Sequence, residues 1–161
     1  MLSYLFPRLT PQRGATLFSA ATERARQPHW YVEGKVPDTL DGRFGVLATI
    51  VALVVVRLEQ LGDEGEAASV ALTERFIEAM ETDHRELGLG DPTLGKTVRK
   101  LVGALARRVE LWRSALGGDW QAAAAESLKG GDPQYCAQAL QALWADLSKR
   151  DAAQLLEGRL Q

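Results

Sequence analysis

Apolar residues recur every three or four positions along most of the chain, which is the spacing of helices that bury one face. No stretch of useful length alternates apolar and polar residues as a half-buried strand does. The breaks between apolar segments are short, as in helix bundles. The sequence therefore predicts an all-α fold, a single-domain bundle of about five to six helices, over approximately residues 11–26, 42–61, 66–87, 94 or 95 to 116, 120–128, and from 133 towards the end.

The second predicted helix is apolar on nearly all sides. Residues 44–56 are 13 positions without a charge, bounded by Arg43 and Arg57. A membrane span needs about 20 apolar residues, so this pattern indicates a central core helix. Thr10 is the expected N-cap of the first helix and Asp41 that of the second. The inward stripe expected for the third helix is Val70, Thr73, Ile77, Met80, His84 and Leu87.

Composition agrees with one globular domain. The chain has 161 residues, of which 46% are apolar and 25% charged, enough to bury a real core. The net charge of −2 is too balanced for a general nucleic-acid binder, so no DNA partner is expected. The single cysteine, Cys136, allows no internal disulfide, which suits a reducing compartment. We expect a helical domain at 15–150, an N-terminal extension at 1–14 and a C-terminal tail at 151–161.

The first residues allow two interpretations. Leu2, Tyr4, Leu5 and Phe6 precede Arg8 without the basic start and long apolar run of a secretory signal. The segment is either a frayed terminus or an interfacial contact with a membrane.

Charge is segregated along the chain. Residues 58–91 contain ten acidic side chains against Arg75 and Arg85, whereas residues 95–113 contain six basic ones against Glu110. Lys96, Lys100 and Arg107 fall on the face of the fourth helix opposite its apolar stripe. This basic face is either a solvated surface or a docking surface for an anionic membrane, ribosomal RNA or an acidic partner protein.

Residues Gly90, Gly95, Lys96 and Thr97 match the phosphate-loop pattern G-x-x-x-x-G-K-[ST]. That motif requires a buried strand before it, but residues 76–87 carry five charged side chains and have helical spacing. Nucleotide binding is therefore the less favoured interpretation of this stretch.

Other candidate chemistry is sparse. Glu81 and His84 have the Glu-x-x-His spacing of di-iron bundles, but the only other histidine is His29, so no metal site is predicted. Cys136 lies on an apolar stripe and is expected to be a core residue. We predict no cofactor, no catalytic residues and therefore no enzyme.

Two blocks of residues carry a family resemblance. The first is residues 29–31 (HWY) with 36–44 (VPDTLDGRF), and the second is 76–83 (FIEAMETD), 85–91 (RELGLGD) and 94–100 (LGKTVRK). Together they resemble the ubiquinol–cytochrome c chaperone family, the assembly factors of respiratory complex III, from about residue 15 to 147. Gly45 departs from the acidic residue that this family tends to carry there, and the tail after Lys149 has no counterpart. The resemblance also explains Gly95 and Lys96 as the start of a helix beside a glycine-rich hinge.

The resemblance implies an all-helical protein without catalysis. It implies binding to newly made or partly haem-loaded cytochrome b, possible contact with the ribosome or an anionic membrane, and a second small assembly factor. Because no transit peptide is evident, a bacterial-type member is indicated, cytoplasmic and peripheral at the inner face of the inner membrane. The alternative is a generic helical interaction module that binds an acidic partner or RNA.

The resemblance concentrates in two loops, which we expect to lie side by side as the partner-binding face. Local roles are compatible with this, since Asp41 can cap a helix and Arg43 can pair with Asp38 or Asp91. The expected partner-binding residues are Trp30, Tyr31, Pro37, Asp38, Asp41, Arg43, Phe44, Gly90, Asp91, Gly95, Lys96 and Lys100. Lys96, Lys100 and Arg107 are the expected membrane or ribosome contacts.

Overall fold

Seven α-helices make up the described chain in a computed structural model, which covers the backbone of residues 2–161 and the side chains of residues 13–161. The expected membrane contacts of Leu2, Tyr4, Leu5 and Phe6 lie outside the described side chains. The all-α fold class is confirmed, and no strand occurs between residues 2 and 161. The helices are α1 (Leu2–Ala25), α2 (Leu40–Glu59), α3 (Gly62–Glu86), α4 (Asp91–Ala115), α5 (Trp120–Ser127), α6 (Pro133–Ser148) and α7 (Ala152–Leu156), with a 3₁₀ turn at Pro28–Trp30.

Helix α2 is the centre of the bundle, as its uncharged run predicts. It packs against α1, α3, α4 and α6. Between Gly45 and Leu58, every residue except Leu47 and Arg57 is buried. Arg57 stays at the surface by donating to the main-chain oxygens of Leu147, Ser148 and Arg150, which satisfies carbonyls at the end of α6. None of the helices in the described chain combines the length and apolar content needed to cross a membrane.

Helix α3 buries only part of the expected stripe, in which Met80 is buried as predicted. Val70 is 50% exposed and Leu87 is 66% exposed, although both belong to the predicted stripe. The buried positions are mostly small, Gly65, Ala68 and Ala71 among them. A Cβ on Gly14 of α1 would lie 2.3 Å from the main-chain oxygen of Ala71, so α1 and α3 approach too closely for larger residues.

Several helix ends differ from the expectations. Helix α1 begins at Leu2, before the predicted cap at Thr10, and α3 begins at Gly62 rather than near residue 66. The last predicted helix is divided in two. Helix α6 ends at Ser148, and Asp151 and Gln154 form a capping box that starts α7. Leu155 and Leu160 are buried, so this part of the tail belongs to the packed core.

Candidate partner-binding face

The loop after α1 is anchored through its aromatic side chains. Trp30 is 1% exposed and its Nε1 donates to the main-chain oxygen of Arg24 at 2.9 Å. The hydroxyl of half-buried Tyr31 donates to the main-chain oxygen of Ala25, also at 2.9 Å. Burial raises the pKa of Tyr31, which keeps this hydroxyl a donor. The Trp30 side chain therefore stabilises the loop, and its expected role in partner binding stays a prediction.

The same loop rests on the connection between α5 and α6. The main-chain oxygen of Gly34 accepts from the main-chain nitrogen of Asp132 at 2.7 Å and from Sγ of Cys136 at 3.5 Å. A Cβ on Gly131 would lie 3.1 Å from that oxygen, so the two segments are in close contact. Burial raises the pKa of the Cys136 thiol to about 11, as expected for a core residue.

The start of α2 is set by a close backbone approach. Thr39 is the N-cap and its hydroxyl accepts from the main-chain nitrogen of Gly42 at 3.1 Å, so the predicted cap at Asp41 is wrong. Asp41 lies exposed in the first turn, where a carboxylate suits the helix dipole. A Cβ on Gly42 would lie 1.8 Å from the main-chain oxygen of Pro37, so only glycine fits there. We call residues 30–45, with residues 127–136 that face them, the entry junction.

The charged pair in this segment is local. Nε of Arg43 donates to Oδ1 of Asp38 at 2.6 Å, and both side chains are more than half exposed. The hydrogen bond to Asp38 raises the pKa of Arg43. Of the two expected partners, Arg43 thus uses Asp38 and not Asp91. An exposed pair like this contributes little to stability and stays accessible to a partner protein.

Phe44 connects the entry junction to α3 and α4. Its ring lies 6.1 Å from that of Phe76 and 5.8 Å from the guanidinium carbon of Arg108. Nε and Nη2 of Arg108 donate to the main-chain oxygen of Ser127. Because Gly45 adds no side chain beside Arg108, this half-buried guanidinium has carbonyl acceptors and no carboxylate partner in the described chain.

A buried polar network lies behind Phe44. The Thr49 hydroxyl donates to the main-chain oxygen of Gly45 at 2.7 Å, and the Ser127 hydroxyl therefore donates to Thr49 at 2.6 Å. Ser127 in turn accepts from Nε1 of Trp112 at 3.1 Å. All three buried side chains are satisfied, and the network ties α2, α4 and α5 together.

Helices α3 and α4 form an antiparallel hairpin with a groove of about 530 Å³ between them. We call residues 77–107 the hairpin. Apolar side chains form the floor of the groove and charged ones its rim, with both signs present. The lining residues are Ile77, Glu81, Arg85, Asp91, Leu94, Gly95, Val98, Arg99 and Val102. Two of the expected partner-binding residues, Asp91 and Gly95, therefore face one apolar recess.

The glycine-rich stretch is not a phosphate loop. Gly90 is the N-cap of α4 and Asp91 its first residue, so Gly95, Lys96 and Thr97 lie inside a regular helix. Their main-chain nitrogens are engaged in helical hydrogen bonds and cannot cradle a phosphate. The helix also starts earlier than predicted.

Exposed basic residues cover the outer side of α4. Lys96, Lys100 and Arg107, which we call the basic stripe, are exposed together with Arg99, and no ion pair to them occurs in the described chain. The predicted segregation of this face from the apolar one is therefore correct.

The two expected loops are held by different parts of the bundle. Residues 28–39 contact α1 and the α5–α6 connection, whereas residues 88–100 contact α3. No hydrogen bond or ion pair joins residues 28–44 to residues 88–100 in the described chain. Phe44 contacts α3 and α4 only farther along, at Phe76 and Arg108. Their formation of one face therefore stays a prediction.

Exposed apolar side chains add to the candidate face. Val32 in the loop after α1 is 63% exposed, and Leu40 at the start of α2 is 74% exposed. Leu87 is exposed at the hairpin turn. The sequence offers one signal for Leu40, an apolar residue in the first turn of a helix just after its cap. Nothing in the pattern distinguishes Val32 from the buried Val36.

Metal ligands do not gather in the described chain. Nδ1 of His84 donates to the main-chain oxygen of Met80 at 2.9 Å, and no group of three or more His, Cys, Asp or Glu side chains with metal-site geometry occurs among residues 13–161.

Comparison with known proteins gives two matches. A model of the family described as ubiquinol-cytochrome C chaperone matches residues 32–157, which include both blocks from residue 32 onwards. A crystal structure of the Cbp3 homolog from Brucella abortus is similar in fold, with a TM-score of 0.78 and 22% identity over 98% of this chain and 94% of that one. No curated protein sequence is similar enough to match. Since the family match covers well over half of the sequence, the chain belongs to the ubiquinol–cytochrome c chaperone family.

Proposed function

We propose that this protein is a non-enzymatic assembly chaperone that binds newly made cytochrome b and promotes assembly of ubiquinol–cytochrome c reductase. The family match over residues 32–157 is the observation that carries this proposal. It spans the entry junction and the hairpin, the two regions with exposed apolar side chains or an apolar groove. The same proposal includes a second small assembly factor as a partner.

The groove of the hairpin is the part of the surface that best suits such a client. Membrane proteins expose apolar helices before they are assembled, and an apolar groove with a charged rim accommodates one face of a helix. Leu94 and Val98 provide an apolar floor, while Asp91 and Arg99 at the rim offer hydrogen bonds of both kinds. Gly95 leaves space between them, because a Cβ there would meet only the Arg99 guanidinium, at 3.4 Å.

The entry junction would supply the second contact. Val32 and Leu40 are exposed apolar side chains, and Pro37, Asp38 and Arg43 of the same segment are also exposed. The backbone of this segment is fixed by its contacts with Gly42 and Asp132. A surface held in place in this way binds without a large ordering cost.

The basic stripe would keep the chaperone near its client. Each basic side chain close to an anionic membrane contributes about 1 kcal/mol. The stripe thus supports a peripheral position at the inner face of the bacterial inner membrane, with the ribosome surface as the other anionic site.

Copurification tests the function directly. The tagged protein is recovered from its own host in mild detergent and probed for cytochrome b and for the mature subunits of the reductase. Enrichment of cytochrome b without the mature subunits is expected. If cytochrome b is present in the lysate and the intact bait does not recover it, the generic module for an acidic partner or RNA becomes the better interpretation.

A matched pair of variants tests the groove. Gly95→Leu fills the groove, whereas Gly103→Leu adds the same side chain to α4 beside Arg107 and outside the groove lining. We expect only Gly95→Leu to lower the recovery of cytochrome b. Equal recovery with both variants would reject the groove as the client site and leave the function itself standing.

Charge reversal tests the membrane contact. Lys96, Lys100 and Arg107 are changed together to Glu, with Arg13, Arg26 and Lys129, also exposed, changed to Glu as the control. We expect flotation with anionic vesicles at low salt to be lost in the first triple variant only. Unchanged flotation would exclude lipid and leave the ribosome as the anionic surface.

A further inference from the structure

A recess of about 300 Å³ lies on another part of the bundle, between the end of α1 and the chain after α6. Its lining includes three guanidinium groups, those of Arg24, Arg150 and Arg159, and one side-chain carboxylate, that of Glu23. It also includes Gln161 at the end of the sequence, whose oxygen accepts from Arg150. None of these residues belongs to the entry junction or the hairpin, and none is used by the proposed function.

Arg24 is largely buried, with 16% of its side chain exposed. Its Nη1 donates to the main-chain oxygen of Leu160 at 3.3 Å, and its Nη2 lies 3.9 Å from Oδ2 of Asp146. Its Nε is buried and has no hydrogen-bond partner in the described chain. A buried donor without an acceptor is destabilising. The Arg24 guanidinium therefore keeps one donor that the described chain does not use.

The other two arginines keep free donors. Nε and Nη2 of Arg150 donate to the main-chain oxygen of Gln161, which leaves Nη1 without a partner in the described chain. Nε of Arg159 lies 3.1 Å from Glu157, and its two terminal nitrogens are free within the same part of the chain. The recess thus contains unused N–H groups from side chains that repel one another.

Three guanidinium groups around one recess match a particular ligand chemistry. The planar fork of arginine fits the oxygens of phosphate, and several forks can share one phosphate group. The wall is held against α1, because Gly158 has a φ of +84° and a Cβ there would contact Ala20 and Thr16 at 3.4 Å. We propose that this recess binds a phosphate group, presented either by a small phosphorylated molecule or by a phospholipid headgroup.

Binding of inorganic phosphate is the first test. Amide signals of Ala20 and Gly158 are followed by NMR during titration with phosphate, with sodium chloride of equal ionic strength as the reference. We expect saturable shifts that Arg150→Gln and Arg159→Gln each weaken by about tenfold, since a hydrogen bond to a charged group contributes about 1.5–3 kcal/mol. Arg26→Gln, just after the end of the helix that carries Arg24 and outside the recess lining, is expected to retain wild-type affinity.

The recess is not a phosphate site if the shifts are absent or if chloride produces the same shifts. The same conclusion follows if all three variants weaken phosphate binding equally. Arg159→Gln is the variant less expected to disturb the fold, because the Arg159 side chain pairs only with exposed Glu157. Arg150, in contrast, donates hydrogen bonds to the Gln161 oxygen.

A second experiment distinguishes a phospholipid headgroup from a small phosphorylated molecule as the source of the phosphate group. Flotation with phosphatidylglycerol vesicles is measured for the wild type and for the Arg150→Gln/Arg159→Gln double variant, with and without inorganic phosphate. Loss of flotation in the double variant, and competition by phosphate, assigns the recess to a lipid headgroup. Phosphate binding with unchanged flotation assigns it to a small phosphorylated molecule.

Discussion

The entry junction and the hairpin lie almost entirely within the residues that the family model matches, yet their packing differs. In the entry junction, Gly42 and Gly34 allow close backbone approach and the Trp30 side chain is buried. In the hairpin, Gly103 has no backbone neighbour within 4 Å and Lys100 is exposed without an ion pair. The first region is constrained by packing, whereas the second leaves its side chains free.

Because of this difference, we expect substitutions in the two regions to have different effects. A substitution in the entry junction should act through folding, since main-chain oxygens and buried donors surround it. A substitution on the hairpin should act through binding, because little else contacts the side chain. The following predictions test whether the two regions differ in this way.

Thiol reactivity should give the largest contrast. Cys136 is buried under the loop and burial raises its pKa to about 11, so little thiolate is present at pH 8. A cysteine at the exposed position in Lys100→Cys, made in a Cys136→Ala background, lacks this protection. We expect Cys136 to react with an aromatic disulfide reagent at least about a thousandfold more slowly, because reaction requires local unfolding. Similar rates would show that the entry junction opens readily.

Glycine replacement should give the next largest effect. In Gly42→Ala the new Cβ would overlap the main-chain oxygen of Pro37, so the start of α2 must move. We expect a loss of about 3 kcal/mol in the free energy of unfolding, measured by urea titration. Gly103→Ala in the hairpin should instead gain about 0.5–1 kcal/mol, since alanine favours a helix interior. A similar change in both variants would remove the distinction between the regions.

Loss of the Ser127 hydroxyl should cost somewhat less. Ser127→Ala leaves the buried Nε1 of Trp112 without its acceptor, and we expect a destabilisation of about 2 kcal/mol in the same assay. Ser114→Ala, at an exposed position of α4, is the control and should change stability by less than about 0.5 kcal/mol. A neutral Ser127→Ala would mean that Trp112 finds another acceptor.

The helices were predictable because their signals are local. The uncharged run before Arg57 indicates a core helix in any helical fold, and the separation of Lys96 from the apolar face of α4 follows from spacing alone. The face of α3 could not be found in the same way. Val70 and Leu87 are apolar but exposed, because close contact with α1 brings Ala68 and Ala71 inward instead.

The details of the candidate site depended on tertiary contacts. Thr39 and Asp41 are both good capping residues, and the choice of Thr39 is tied to the approach of the Pro37 carbonyl to Gly42. Trp30 is buried because its indole nitrogen reaches the main-chain oxygen of Arg24, which no spacing rule foresees. Which residues meet a partner was therefore less predictable than which residues form helices.

The smallest expected effect is a pH dependence at His29, which lies beside the entry junction and contacts its Tyr135. Burial, and secondarily the charge of Arg24, lowers the pKa of His29, while Glu33 acts in the opposite direction. The unfolded chain thus binds the proton first as the pH falls, so the stabilisation is present above about pH 6.5 and declines below it. Because solvent screens this partly exposed ring, we expect a decline of no more than about 0.5 kcal/mol between pH 7.5 and 5.5. Urea titrations of the wild type and His29→Gln at both pH values measure it, and the variant should show the weaker decline. A steeper decline in His29→Gln would mean that protonated His29 stabilises the fold through its contact with Tyr135, 3.0 Å away.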